Sequence, residues 1–385
     1  MWRLAVARAD INLGGIVGSS TLIPSQVPSQ GADFDRGPEQ KGEIGVVAKL
    51  VVLAFTILLM ALFLEVALRV GFYHSKDFSM EMWKYAVSLK HPVANPKLSF
   101  AHVPNGHAFL MGTDVKINSQ GLRDFEYPLE KAPGTYRVML LGDSTTFGWG
   151  VEQKDTAAKF LERKLNGHLP PGYNKVEVIN AGVGNYDTVQ EVTYYETRGR
   201  AFHPDLVVLV FFINDPEPVP TEGKGFLIDR SYLIAFATNR FDGILRRTGK
   251  RPGWKEYYAS LYDDNKPGFQ ACKQALRSLA DSTSNDGAKL VVALLPELRQ
   301  INGDTYPFKG AHQKIEAVLQ SAKVPSIELI EGLKDHGPED TLWVTLQDDH
   351  PDAKANDLVS DQIESWILKN VDKTAAALPD GGFKP

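Results

Sequence analysis

Arg137-Val-Met-Leu-Leu-Gly-Asp-Ser-Thr-Thr-Phe-Gly-Trp-Gly150 is the stretch whose reading decides the fold. Val138 to Leu141 is a short apolar run bounded by Gly142, the pattern of a buried strand that ends in a sharp turn. Asp143 and Ser144 follow at the strand's carboxyl end, the edge where open α/β sheets bind their ligands. A Ser placed there by a Gly-led turn is a candidate nucleophile. The plainer alternative is that Asp143 or Ser144 caps the next helix. The rest of the chain has to decide between them.

Outward from this stretch, strand and helix patterns alternate. Asp155 or Thr156 can cap a helix whose Ala157, Phe160, Leu161 and Leu165 share one face. A second strand, Val176 to Ile179, ends in Asn180-Ala-Gly182-Val-Gly184, where the backbone can approach a ligand closely or simply turn into a helix. Helix Thr188 to Arg198 leads to a third strand, Leu206 to Phe212, a continuous apolar run suited to the centre of a parallel sheet. That strand ends in Ile213-Asn214-Asp215-Pro216, so Asn214 either presents an amide to a substrate oxygen or makes an Asx-type turn. A helix from about Gly268 to Asp281, a fourth strand Lys289 to Leu295, a helix Ala311 to Ser321 and a fifth strand Ser326 to Ile330 continue the alternation. The order predicts a parallel sheet with helices on both faces.

The last informative stretch is Leu346-Gln-Asp-Asp-His-Pro351, just before a final helix, Ala353 to Leu368. His350 precedes a proline, so its backbone is extended and its ring sits at a loop-to-helix junction. Serine chemistry needs a nucleophile, a general base, a group that orients the base, and donors for the developing oxyanion. Ser144, His350 and Asp348 fill the first three roles. The N–H groups of Ser144 and Gly182 and the side-chain amide of Asn214 fill the fourth. Ser144, Gly182 and Asn214 follow the first, second and third strands, whose ends converge on one sheet edge.

From Arg137 to Leu368 the chain resembles the SGNH (GDSL-like) hydrolases. Gly142-Asp143-Ser144 is similar to that family's first block, Gly182 to its second, Asn214-Asp215 to its third, and Asp348-Asp349-His350-Pro351 to its fifth. The resemblance implies a three-layer, flavodoxin-like α/β fold with a central parallel sheet of about five strands. It also implies a Ser-His-Asp mechanism without cofactor or metal. The chain departs from the pattern at Thr145, at Ile213, and at Gln347, where many members carry the triad Asp three residues before the His. Asp348 takes that role here, with Asp349 as the alternative.

The chain has 385 residues and a net charge of −5, which gives no electrostatic reason to expect nucleic acid. Its single cysteine, Cys272, excludes an intrachain disulfide and a Cys-cluster metal site. Residues 1–43 read as disordered. Val46 to Leu64 is an apolar run interrupted only by Lys49 and Thr56, about 28 Å long as a helix, which predicts one transmembrane helix. Lys49 tips the flanking charge toward a cytoplasmic N-terminus, leaving everything after about residue 66 extracytoplasmic. Residues 66–135 are expected to pack on the main domain. Within them lie a short helix at Met80 to Leu89 and a turn at Asn118 to Gly121. Residues 216–262 form an aromatic-rich insertion that builds a lid or packs onto the domain, and 371–385 read as a flexible tail. The Asn118-to-Arg123 segment between the span and the Ser block resembles membrane-anchored bacterial members, which implies polysaccharide esters as substrates. The expectation is an anchored serine esterase acting on acyl esters, O-acetyl groups on carbohydrate among them. An O-acyltransferase using the same residues and a non-catalytic carbohydrate-binding protein are the alternatives.

Overall fold

The computed structural model describes residues 45–219, 227–303 and 305–371. The expectations for 1–43 and for the tail from 372 onward therefore lie outside the described residues. By its contacts the chain divides between Phe55 and Thr56, inside its first helix.

The central sheet has five parallel strands: β1 (Thr135–Leu141), β2 (Lys175–Asn180), β3 (Leu206–Phe211), β4 (Lys289–Leu294) and β5 (Ser326–Glu328). Their order is β2-β1-β3-β4-β5. The chain steps from β1 outward to β2, then returns past β1 to β3, so the β1/β3 boundary is the topological switch point. Ser144 follows β1 and Asn214 follows β3, which puts both at that switch.

Every residue of β1 and of β3 is buried, which is why both read as unbroken apolar runs. Alternate side chains serve opposite layers. Met139, Leu141, Val207, Leu209 and Phe211 face helices α4 (Thr188–Thr197), α7 (Pro267–Asn285) and α8 (Lys309–Ser321). Val138, Leu140, Val208 and Val210 face α3 (Ala157–Gly167) and α9 (Ala353–Asn370). The buried pair Arg137–Glu177, 2.7 Å apart, ties β1 to β2 at the amino-terminal half of the sheet, away from the site.

The described part of the unit up to Phe55 is the start of helix α1 (Val46–Gly71). The helix runs seven residues past the predicted Leu64 and carries Glu65 and Arg69 in that extension. It is long and apolar enough to cross a membrane.

Residues 72–134 hold α2 (Phe78–Leu89), capped by the Asp77 side chain on the Met80 N–H, and two short antiparallel ribbons. Gly121 has φ +82° in the turn that the Asn118 side chain braces. This segment is bonded into the main domain. The Tyr85 hydroxyl accepts from the Gly184 N–H at 2.9 Å and donates to His102 Nε2, whose Nδ1–H donates to the Gly121 carbonyl. Burial holds His102 down at about 3, so it is neutral and has one ring nitrogen for each role. Within 216–262 the chain forms two further helices, α5 (Tyr232–Arg247) and α6 (Trp254–Leu261). The α6 aromatics Trp254, Tyr257 and Tyr258 pack against the core beside Phe308.

Candidate active site

The turn after β1 is a one-turn helix, Ser144–Phe147, capped at its start by Asp143 and closed by Gly148 in the left-handed region at φ 83°. Ser144 is its first helical residue, so its N–H has no intrahelical acceptor. Asp143 does cap this turn, taking the Thr145 N–H at 2.8 Å, and Ser144 is held beside it for another partner. The Ser144 Oγ lies 2.8 Å from His350 Nε2. Asp143 is thus the cap, and Ser144 is left free to meet His350.

His350 lies in a short strand, Asp348–Pro351, paired antiparallel with Trp343–Thr345. Side chains two apart on a strand share a face. Asp348 and His350 therefore point the same way, and His350 Nδ1 donates to Asp348 Oδ1 at 2.6 Å. Asp349 turns aside to Arg299, whose Nε lies 3.3 Å away. Its other neighbour is Glu297, which burial and the Asp349 charge push up to about 9, keeping it a neutral acid. The second Asp348 oxygen accepts from Trp149 Nε1 at 2.9 Å. Burial works to lower the His350 pKa. The Asp348 charge and hydrogen bond, with Asp143 and Asp349 behind them, outweigh it and hold His350 above its ordinary value.

The three expected oxyanion donors are placed unequally. Asn214 Nδ2 donates to Asp143 Oδ2 at 3.1 Å, the same oxygen that lies 3.5 Å from Ser144 Oγ, so the amide stands beside the candidate nucleophile. Asn214 keeps a second N–H. The Gly182 N–H donates to Asn180 Oδ1 at 3.0 Å, closing an Asx-type turn within its own loop. Gly182 is packed against the Ser turn itself. A Cβ there would collide with the backbone N of Phe147 and lie 2.6 Å from the carbonyl carbon of Thr146.

Behind these donors lies a group of buried carboxyls. Neither Glu191 oxygen has a hydrogen-bond partner, and one Asp215 oxygen lacks one, while the other accepts from Thr188 Oγ1 at 3.1 Å. Burial, then mutual repulsion with Asp143 and Asp187, drives Glu191 and Asp215 well above the carboxylate range. Both therefore hold their protons to higher pH than ordinary carboxyls do.

Three residues of the site were not legible in the sequence. Trp149 holds Asp348. Phe78, from the start of α2, lies over His350 with ring centroids 5.5 Å apart. Arg123, fully buried, donates to the carbonyls of Phe147 (3.1 Å), Gly148 and Val151 (2.6 Å), tying the end of the Ser turn to the segment before β1. Its neighbour Asp124 accepts from the Asn180 N–H at 2.7 Å, which fixes the end of β2. The only sequence signal was the Asn118-to-Arg123 turn pattern, which carries no mark of the contacts it makes. Among the described residues no cluster of three His, Cys, Asp or Glu side chains could hold a metal ion.

A serine, a histidine and a buried aspartate in line at hydrogen-bond distance make an arrangement that can deprotonate a hydroxyl as it attacks a carbonyl. Comparison with known proteins agrees in kind. The GDSL-like Lipase/Acylhydrolase family matches over residues 140–358, more than half of the chain. The chain belongs to that family. Membership makes this GDSL-like protein a hydrolase of ester bonds. Among solved structures it is similar to TesA, at 18% identity over 60% of this chain and 98% of that one, with a TM-score of 0.38. It is also similar to a lipase/acylhydrolase from Enterococcus faecalis (15% identity, 61% and 96% covered, TM-score 0.40). A third is an acetylxylan esterase from Geobacillus stearothermophilus (12% identity, 60% and 94% covered, TM-score 0.40). No curated protein matches the chain by sequence.

Proposed function

We propose that this GDSL-like hydrolase is a membrane-anchored serine esterase with Ser144 as nucleophile, His350 as general base and Asp348 as the group that fixes the His350 tautomer. The observation that carries the reading is the continuous line from Ser144 Oγ to His350 Nε2 (2.8 Å) and from His350 Nδ1 to Asp348 Oδ1 (2.6 Å). His350 takes the Ser144 proton as Oγ attacks the acyl carbonyl, and gives it to the leaving alkoxide when the ester C–O bond breaks. Water then attacks the acyl-Ser144 by the same route, releasing the acid and restoring Ser144. The N–H of Ser144, the N–H of Gly182 and the second amide N–H of Asn214 receive the oxyanion. For Gly182 this means exchanging Asn180 Oδ1 for the substrate's oxygen, a trade between two acceptors at nearly constant hydrogen-bond count.

The substrate is an acyl ester, with O-acetyl groups on carbohydrate as the class that the resemblance to anchored bacterial members implies. Helix α1 is the anchor. Lys49 at its amino-terminal end favours a cytoplasmic N-terminus and a catalytic domain outside the cytoplasm. Turnover of p-nitrophenyl acetate by the purified protein tests the reading. Ser144→Ala should reduce kcat by about 10⁴-fold or more. Full turnover in that variant would overturn it.

A further inference from the structure

The end of α1 fixes a level in the structure. After Lys49, residues 50–64 carry no charge, and Glu65 is the next ionisable side chain. If α1 spans a membrane, the Glu65 carboxylate marks the headgroup level, because an ionised side chain is costly in hydrocarbon. Glu65 also reaches the start of α5, where Ser231 is the capping residue. Its two oxygens accept from the N–H groups of Tyr232 (3.0 Å) and Leu233 (2.9 Å) and from the Ser231 hydroxyl (2.8 Å). Arg69, one turn further on, donates to the Arg230 carbonyl at 3.0 Å. The amino-terminal end of α5 is therefore held at the level where the apolar part of α1 stops.

One face of α5 is already used. Tyr232 meets Trp83 at 4.7 Å between ring centroids, Phe236 meets Phe72 at 5.7 Å, and Arg240 pairs with Asp77 at 2.7 Å. On the other face Ile234, Ala237, Phe241 and Ile244 recur at three- and four-residue spacing, and Phe241 and Ile244 are 61% and 56% exposed. The flanking charge is one-sided. Residues 227–253 carry Arg230, Arg240, Arg246, Arg247, Lys250 and Arg251 against Asp229 and Asp242, a net +4 in a chain of net −5. A groove of about 600 Å³ opens beside this end of α1, lined among others by Arg69, Tyr73, Trp83, Lys84, Arg230 and Tyr232. Aromatic rings and arginines together are the side chains that membrane interfaces favour.

We infer that α5 is an interfacial helix that lies on an anionic bilayer with Phe241 and Ile244 in the headgroup–acyl boundary, and that it holds the catalytic site at the membrane surface. An apolar stripe flanked by Arg and Lys is the composition of such a helix. Its occupant is the bilayer because its first turn is fastened to the residue that ends the membrane-crossing run. The consequence for chemistry rests on the esterase reading. Phe78, which covers His350, is seven residues beyond Gly71, at most about 25 Å of extended chain. Ser144 thus serves esters presented close to the bilayer rather than deep in the surrounding solution.

The test uses the full chain reconstituted in phosphatidylcholine–phosphatidylglycerol vesicles. Single cysteines at 58, 241, 244 and 320 carry an environment-sensitive fluorophore; the one native thiol, Cys272, is buried. Brominated acyl chains should quench labels at 58, 241 and 244 at least twofold and leave the label at the exposed Gln320 unchanged. Quenching at 58 alone overturns the inference while the anchor stands; quenching at none overturns both. Labels at 241 and 244 shielded from water yet unquenched would mean a second copy of the chain covers the face, which also overturns it. In the same vesicles, Phe241→Asp with Ile244→Asp should lower turnover of dissolved p-nitrophenyl octanoate at least tenfold and leave soluble p-nitrophenyl acetate unchanged. An equal effect on both esters overturns the membrane role. Absence of acetate turnover in the unaltered protein would count against the esterase reading instead, while quenching still reads the helix.

Discussion

Asp348→Asn is the change whose consequence the geometry specifies most closely. Asp348 is buried at 2% exposure; one oxygen accepts from His350 Nδ1 at 2.6 Å and, over a longer 3.3 Å, from the His350 N–H, while the other accepts from Trp149 Nε1 at 2.9 Å. Asparagine offers one oxygen and one NH₂ in the same places. The Trp149 indole is a donor only, so an NH₂ facing it would leave a buried donor unpaired, at about 1–3 kcal/mol. The amide therefore turns its oxygen to Trp149 and its NH₂ to His350. Nδ1 must then accept, which moves the imidazole proton to Nε2, the nitrogen that has to take the Ser144 proton. A wrong tautomer of this kind lowers kcat by about 10⁴, or ~5.5 kcal/mol in the barrier. Trp149→Phe removes the competing donor. Alone it should weaken activity modestly, because Asp348 keeps His350. Combined with Asp348→Asn it should raise kcat at least tenfold over Asp348→Asn alone, because the amide oxygen is released to His350. The assay is kcat for p-nitrophenyl acetate, with circular dichroism to confirm folding. Activity of Asp348→Asn within tenfold of the unaltered protein, or strictly additive losses in the double variant, would refute the reasoning.

Other outcomes follow from the same contacts. His350 acts as a base only when neutral, and Asp348 holds its pKa above the usual 6.5, so kcat/KM should rise with pH and reach half its plateau above that value; a half-point below it would contradict the arrangement. The folded Glu191 pKa lies well above the about 4.3 of the unfolded chain, so the native state keeps the proton longer and stability falls as pH climbs from there, at up to about 1.4 kcal/mol per pH unit. Glu191→Gln removes that slope, and its Tm relative to the unaltered protein should rise with pH; a pH-independent difference would show that Glu191 is ionised in the fold. Gly182→Ala drives a methyl group into the Thr146–Phe147 backbone and should lower Tm and cut kcat at least tenfold, since the Ser turn itself must shift; an unchanged Tm would contradict the close approach.

The sheet was legible because β1 and β3 are covered on both faces, and full burial forces unbroken apolar runs that sequence displays directly. The candidate site could be proposed from sequence because Ser144, Gly182 and Asn214 each directly follow a strand of the sheet. The choice between Asp348 and Asp349 needed the short strand Asp348–Pro351, whose alternation puts only Asp348 on the His350 face. No apolar pattern marks that strand, since three of its four residues are polar and its partner is three residues long. Helices α5 and α6 were hidden in the 216–262 insertion, where aromatics without a clean period gave no boundary. Phe78 and Arg123 act on residues 272 and 24 positions away, and contacts of that kind leave no local trace.

Covalent capture at Ser144 tests the central claim most directly. The unaltered protein, treated with a fluorophosphonate and digested, should carry one adduct, on the peptide that contains Ser144, and His350→Ala should lose it while staying folded. An adduct on any other residue, or equal labelling in His350→Ala, would contradict an activated Ser144.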